Sequence, residues 1–387
     1  MQNNIVTEEQ LLASFGENQY NLANKYIGAI NLKEKILNRS EISRIISHPN
    51  RSVQGWICGE HIPRPIRALQ FLQSIRLIPL AENSNLEFIL FTELVAFLFG
   101  DGHLMKHLGG FTLFGQKHDL EKIRSKIFNL YGISTKIKHH HSEGIIKKVK
   151  KDKVYSQVVK GSCWRLEVSN SPLSRLLHLA GVPCGDKVAT AMKVPNWIME
   201  GDEEIKRTFL GVLLGNELKY SKLRAKNAFD ASSFGLHKIE SEESSLKQFL
   251  EQIKNLLWAF GICTSNVTVD NSYKTIRKDG SFSKKLYFSI NSHSPNIMRL
   301  FKEIPFIYAD QKQQKFTSSA YYFSNNISNL KKEWEIYDLV IKMHESGLGR
   351  RRIFKKLNLT KNYFYKINSW LHYGSKPLYY DEREILL

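Results

Sequence analysis

The sequence predicts an α+β protein, a duplicated α/β core held between two small helical pieces. Two observations carry this. Residues 86–200 and 201–320 show four matched landmarks in the same order, and residues 1–85 and 330–387 read as helix-rich. At 387 residues the chain is too long for one ordinary core, and two or three domains suit it.

The N-terminal piece is punctuated at His48-Pro49-Asn50 and Pro63-Arg64-Pro65, and its stretch 40–65 follows a helix-turn-helix rhythm. The first copy opens on the apolar helix LVAFLFGDG (94–102) and the second on FLGVLLGNE (209–217). Polar, strand-like sequence follows each. An amphipathic helix then ends in a shared phrase, DLEKIRSKIFNLYGI (119–133) and SLKQFLEQIKNLLWAFGI (245–262), whose glycine marks the helix stop. Strand candidates come next, Trp164–Val168 in one copy and Leu286–Ile290 in the other, the latter after a turn at Lys278-Asp279-Gly280. Each copy closes on a Ser-Pro helix, at 169–181 and 291–304. With Ala96 set on Gly211 the copies lie 115 residues apart, too far for a solenoid repeat. The C-terminal piece reads as three short helices from residue 336, with a turn at Leu359-Thr360 and Thr360 capping the last helix. The outer pieces also echo each other: Trp56, Gly59 and Pro63 against Trp370, Gly374 and Pro377.

Lys and Arg outnumber Asp and Glu by 56 to 37, a formal net charge of +19. An excess this large calls for an anionic partner. A phosphate polymer is the first candidate, because its condensed counterions exchange for Lys and Arg. No basic amphipathic helix with a bulky apolar face supports a membrane surface. The longest apolar runs, such as LVAFLF, fall far short of the roughly 20 residues a span needs. Cys58, Cys163, Cys184 and Cys263 form no CxxC pair, so zinc-finger spacing is absent. The N-terminus lacks a signal-peptide pattern. An intracellular protein with reduced thiols is expected, cytoplasmic and nucleoid-associated.

Ala96 and Gly100 lie four apart on one helix face, and Gly211 and Gly215 take the same places in the second copy. Small faces let two helix backbones approach, which would bring their C-terminal ends together. Asp101 sits at one such end, where the helix dipole already presents negative charge. A hard divalent cation relieves that clash, with the Asp101 carboxylate and the carbonyls of Gly100 and Gly215 as oxygen ligands.

This pattern resembles the LAGLIDADG homing-endonuclease family in its single-chain, two-motif form. The likeness spans roughly 92–316. It rests on the two apolar motifs, the shared Gly-Ile turn, and the phrases Gly181-Val-Pro-Cys-Gly-Asp-Lys187 and Lys193-Val-Pro-Asn-Trp197, which look like the family's link between repeats. The resemblance implies a duplicated αββαββα core with saddle-shaped antiparallel sheets lying in the major groove of double-stranded DNA. It implies a monomer with an internal pseudo-two-fold axis and Mg²⁺ (or Mn²⁺) held by one acid from each helix end. It also implies lysines near the centre that assist as electrostatic or proton-transfer groups, best matched by Lys187 and Lys312. One departure stands out. Asn216 replaces the second motif's acid, and the acid falls one position later, at Glu217. A one-residue shift turns a side chain by about 100° on a helix, so Glu217 is expected to join Asp101 only if the helix end unwinds. Cutting both strands, nicking one, and binding without cutting all stay open.

The stretch 136–160 alternates lysines with other residues, as suits a basic β-ribbon in the major groove. Nucleic-acid contacts are expected from Lys136, Lys138, His140, Lys148 and Lys150 in the first copy, and from Lys274, Arg277 and Lys285 in the second. Further contacts are expected from Arg350, Arg351, Arg352 and Lys361 in the C-terminal piece. His139, His140 and His141 alternate in direction along a strand, so one ion cannot take all three easily. Beside site-specific DNA cleavage stand two other readings: a non-cleaving transcription regulator, and an RNA-splicing maturase recognising structured RNA. An intein is disfavoured by the opening at Met1 and by the closing Glu384–Leu387, which shows no Asn-nucleophile ending.

Overall fold

The computed structural model describes residues 4–82, 85–151, 153–219, 223–225, 228–292 and 294–377, so the closing residues 384–387 lie outside the described residues. The N-terminal piece comprises β1 (Asn4–Val6), α1 (Glu8–Ala13), α2 (Glu17–Glu34), α3 (Arg39–Ile45), α4 (Asn50–Ile57), α5 (Arg64–Ser74) and β2 (Leu80–Ala81). Its two ends pair as an antiparallel ribbon, Val6 opposite Leu80.

The first repeat is α6 (Leu86–Phe99), β3 (Gly102–Leu104), β4 (Phe111–Gly115), α7 (Lys117–Tyr131), β5 (Lys136–Lys150), β6 (Lys153–Val168) and α8 (Ser171–Leu179), the predicted αββαββα order. A link with the short helix α9 (Asn196–Glu200) leads to the second repeat: α10 (Glu203–Glu217), β7 (Leu223–Ala225), β8 (Ala228–Phe229), β9 (Ser232–Ile239), α11 (Glu243–Ala259), β10 (Thr268–Ile276), β11 (Phe282–Ile290) and α12 (Ser294–Glu303). The chain ends in α13 (Asp310–Glu345), α14 (Arg350–Lys356) and α15 (Lys361–Tyr373).

Local chemistry explains these boundaries. Asn85 caps α6 by accepting from Phe88 N at 2.8 Å, and Asp202 caps α10 by accepting from Ile205 N at 2.9 Å. Gly132 and Gly261 stop α7 and α11 with φ of 66° and 68°, the left-handed conformation that the shared Gly-Ile phrase predicts. Gly280, with φ of 82°, completes the predicted turn between β10 and β11. α6 is buried on every side from Leu90 to Phe99, so it forms the spine of the core rather than a surface helix.

The strands form one seven-stranded antiparallel sheet in the order β3-β4-β6-β5-β10-β11-β9. The resemblance implies one sheet per repeat. Here the two are fused, because the far end of β5 pairs with β10, Lys274 lying opposite Val149 and Ile276 opposite Lys147. The long β5–β6 hairpin, 15 and 16 residues, makes that reach possible. α7 and α11 cover one face of the sheet, against Phe111, Leu113, Leu166, Phe234, Leu286 and Phe288.

Two expectations are corrected. α6 and α10 do pack side by side, with Phe99 of α6 edge-on to Phe209 (5.9 Å) and stacked on Phe249 of α11 (5.5 Å). The small face of α10, however, admits a different neighbour. A Cβ on Gly211 would lie 2.7 Å from Pro305 O, and one on Gly215 would lie 2.8 Å from Ile307 O. Ile307 N also donates to Gly211 O at 3.1 Å. The glycines thus admit the backbone of 305–309, whereas Gly100 does face the partner helix, 3.4 Å from Asn216 Cβ and Glu217 Cγ when a Cβ is built. Secondly, the helix predicted from residue 336 is the last third of α13, one helix of 36 residues running from the second repeat into the C-terminal piece. Thr360 does precede α15, but its side chain makes no capping hydrogen bond, and Tyr363 N donates to its carbonyl instead at 2.9 Å.

The contact at Gly211 gives a direct test. Gly211→Val must displace a backbone carbonyl, and overpacking of this kind costs about 1–3 kcal/mol. Urea denaturation should show a lower midpoint with an unchanged slope; an unshifted midpoint would refute the close approach.

Candidate active site

α6 ends at Phe99, and Gly100 leaves the helix with φ −90° and ψ −118°, so Asp101 stands just beyond the last turn. By the 115-residue offset, α10 would end at Leu214; it continues through Glu217. The predicted unwinding is therefore not needed. Glu217 is the last helical residue and already lies against Gly100, beside Asn216, whose buried Nδ2 has no hydrogen-bond partner.

Two lysines close the helix ends. Lys187, in the link after α8, donates to the carbonyls of Gly100 and, at 3.3 Å, Leu98. Lys312, in the first turn of α13 and so after α12, donates to the carbonyls of Gly215 and, at 3.1 Å, Asn216. The carbonyls of Gly100 and Gly215, predicted as metal ligands, thus accept ammonium groups here. Helix C-termini carry partial negative charge, which a nearby cation offsets.

Charge and burial oppose one another at this centre. Burial, then the neighbouring Asp101 carboxylate, pushes the Glu217 carboxyl up to about 7, against the pull of the lysines. Asp101 is open to solvent, yet the protein mass around its concave setting also raises its carboxyl, with Lys187 and Lys312 pulling the other way. Burial lowers both lysines, and the two acids partly restore them. A cleft of about 460 Å³ opens here, lined by Asp101, Gln116, Asn216, Tyr308, Lys312 and Lys315. Carboxylates and an amide carbonyl are hard oxygen donors of the kind Mg²⁺ and Mn²⁺ take, and of the three residues Asp101 and Asn216 line the cleft. Among the described residues no three His, Cys, Asp or Glu side chains gather as a metal site. An ion here would complete its shell with water or phosphate oxygens, as Mg²⁺ commonly does.

Two buried groups that sequence reasoning passed over hold this arrangement. Lys238 on β9, 2% exposed, donates to the carbonyls of Lys187 and Thr190, and burial lowers its ammonium to about 8. It shares the core-facing phase of Ser232 and Phe234, and a lysine in that phase was the available signal. Glu93, 3% exposed on α6, accepts from Tyr308 Oη at 2.5 Å and Lys126 Nζ at 2.6 Å.

Strand phase sorts the predicted nucleic-acid contacts. Lys136, Lys138, His140, Lys148 and Lys150 share one phase of β5, opposite to Ile137, which pairs with buried Leu166. They therefore line the face that carries no helix. Lys285 takes the phase of β11 opposite to buried Leu286, Phe288 and Ile290, and acts electrostatically on Glu217. Three predicted contacts are already engaged: Lys138 with Glu167 (2.7 Å), Lys274 with Glu240 (3.0 Å) and Arg277 with Asp186. Arg350 turns inward, donating to Asn368 Oδ1 and lying over the Phe364 ring at 4.5 Å. Arg351, Arg352 and Lys361 are exposed.

No family model matches the chain. It is 30% identical over 281 residues to the DNA-directed RNA polymerase subunit Rpo1N of Methanocaldococcus jannaschii, covering 72% of this chain and 19% of that protein. It is 26% identical over 220 residues to the tRNA-splicing ligase RtcB of Methanopyrus kandleri, covering 55% and 21%. Over 181 residues it is 27% identical to the replication factor C small subunit of Methanocaldococcus jannaschii, covering 45% and 9%. The chain thus spans about a fifth or less of the length of these relatives. Similar solved structures include mesophilic variants of the homing endonuclease I-DmoI, at TM-score 0.30 and 14% identity, covering 56% of this chain and 88% of that one. Another is full-length DUF199/WhiA from Thermatoga maritima, at TM-score 0.31 and 13% identity, covering 78% and 94%. Among the described residues no helix is long and apolar enough to cross a membrane.

The Glu217 environment has a measurable signature. Its folded pKa of about 7 exceeds the unfolded value of 4.5, so the stability it contributes is full below pH 4.5 and is lost as pH rises through 7. In divalent-free buffer, Glu217→Gln should gain about 1–3 kcal/mol over wild type between pH 5 and 8. Equal urea midpoints of the two proteins at pH 8 would contradict the crowded site.

Proposed function

We propose that the chain is a site-specific endonuclease of the LAGLIDADG type acting on double-stranded DNA. One observation carries the reading: two helix C-termini converge with Asp101 and Glu217 between them, each end closed by a lysine, beside the helix-free face of a lysine-rich sheet. Asp101 and Glu217, with the Asn216 amide, are the residues that would hold Mg²⁺ or Mn²⁺. When bound, the ion supplies electrostatic stabilisation and an activated water for phosphodiester hydrolysis. Lys187 and Lys312 place positive charge beside the phosphate, and Lys136, Lys148, Lys150 and Lys285 track the backbone on the open face. The relatives bear names of three different activities and share about a fifth or less of their length with the chain. That supports a self-contained module rather than any of those whole-protein activities.

The second motif's Asn216 favours a second reading, a DNA-binding regulator that does not cut. Both acids being crowded around one centre is the reason to rank cleavage first.

A nicking and cleavage assay on a supercoiled plasmid library with Mg²⁺ separates the two. Wild type should convert a subset of plasmids to open-circle or linear form, with no conversion in EDTA. Asp101→Ala should lower the rate by at least about a hundredfold, on the scale of a lost charge-stabilising group, with DNA binding retained. Full activity in Asp101→Ala would discard the enzyme reading, and binding without conversion by wild type in Mg²⁺ and Mn²⁺ would favour the regulator.

A further inference from the structure

The two outer helical pieces have a relation that the sequence alignment on tryptophans hides. Four of the six helix boundaries in α2–α4 recur 311 residues later, the exceptions being the start of α2 and the end of α4, where α13 and α15 run longer. α2 ends at Glu34 and α13 at Glu345; α3 spans Arg39–Ile45 and α14 spans Arg350–Lys356; α4 starts at Asn50 and α15 at Lys361. The turns match in conformation as well as in length. Ile36 and Gly347 have φ of 65° and 88°, and Ser47 and Asn358 have φ of 51° and 47°. A left-handed Ile is costly enough that chance placement is a poor explanation.

The cores match at the same offset. Ala29, Ile42 and Trp56 are buried in one unit, and Val340, Ile353 and Ile367 in the other. Tyr26 and Leu37 pack on the first core as Tyr337 and Leu348 pack on the second. Arg39 and Arg350 each open the middle helix and donate to a side-chain amide on the last helix, Gln54 at 3.2 Å and Asn368. Trp370 fills the second core from one turn beyond the position of Trp56, which is why pairing the tryptophans misaligns the copies.

We propose that residues 17–57 and 328–368 are two copies of one helix-turn-helix unit, and that each reads duplex DNA on one flank of the central site. The proposal rests on the reading that the core engages duplex DNA. In such units the last helix enters the major groove and its first turns face the bases. The equivalent exposed positions there are Arg51 and Gln54 on α4, and Asn362 and Tyr365 on α15. They are three apart on one helix face, and Arg, Gln and Asn are residues that bond base edges in pairs. Exposed Lys33, Lys35 and Arg44 in one unit, and Arg351, Lys355 and Lys356 in the other, supply the backbone contacts.

The test is selection of duplexes bound by the full-length protein from a random library of about 60 base pairs, long enough to hold several helical turns on each side of a centre. Wild type should enrich a central block with one block on each side. Arg51→Ala/Gln54→Ala should lose one flanking block and Asn362→Ala/Tyr365→Ala the other. Both variants should keep the central block and a melting temperature close to wild type, since all four side chains are exposed and the Arg39–Gln54 hydrogen bond lost in one of them lies on the surface. A wild-type preference confined to the centre, or both flanks surviving in the Arg51/Gln54 variant, overturns the inference. Flanking blocks without a central one would uphold the two units while defeating the core reading. No enrichment by wild type overturns both.

Discussion

Two helix C-termini are forced against each other at the centre of this protein, and each brings unpaired carbonyls and a carboxylate to the same place. Dipole ends of like sign and two acids repel, and burial amplifies the repulsion. The chain offsets this with Lys187 and Lys312, one on each helix end. Their anchors are crossed between the repeats. Lys187 closes the helix of the first repeat, yet its loop is held by Lys238 and Arg277 of the second. Lys312 closes the helix of the second repeat, yet its segment is held by the first: Tyr308 on Glu93, Asp310 on Lys122, and Asp310 N on Asp119 at 3.2 Å. Each cap is thus anchored in both repeats, since Gly185 N on Leu104 O and Ile307 N on Gly211 O hold the same two segments from within.

That interlock explains why α10 is glycine-bearing on a face that does not meet α6. The segment 305–309 must run close along α10 to bring Tyr308 to Glu93 and Lys312 to Gly215, and Gly211 and Gly215 give it room. The first repeat delivers its lysine by another path: Gly185 N donates to Leu104 O at 2.8 Å, and Cys184 bridges to Leu104 beside β3. The pseudo-symmetry is therefore one of function at the centre, with different backbone routes to it.

Much of this was legible locally. The apolar α6 and α10, the glycine stops at Gly132 and Gly261 and the turn at Gly280 follow from short-range pattern and the repeat offset, whereas Lys187 and Lys312 came from the family resemblance. What escaped was non-local. The pairing of β5 with β10 joins residues about 125 positions apart, Val149 and Lys274, and strand alternation says nothing about which edge meets which. The partner of Gly211 could not be read from a small-residue stripe, since the stripe reports room and not its occupant. Nor does helical periodicity reveal where α13 begins, because a 36-residue helix built from two contexts changes its buried face along its length: Phe316, Ala320 and Phe323 face the core, and Val340 faces the C-terminal unit.

Sheet fusion has a consequence for how the basic face behaves. In two separate sheets, the lysines of β5 and β10 would move with their own repeats. Here Lys148 sits opposite Thr275 and its ammonium lies 4.5 Å over the ring of Tyr273, so the tip of the first repeat's hairpin is tied to the second repeat. Lys150, Lys151 and Lys153 cluster around the same junction. This concentrates like charge where two strands must stay paired, and the pairing persists because the ladder hydrogen bonds and the Tyr273 ring hold against it. A polyanion laid on this face would neutralise the cluster and strengthen the junction at once. The cluster lies in the most basic stretch of the sequence, 136–160, where the lysines alternate with residues that pair the ribbon's two strands.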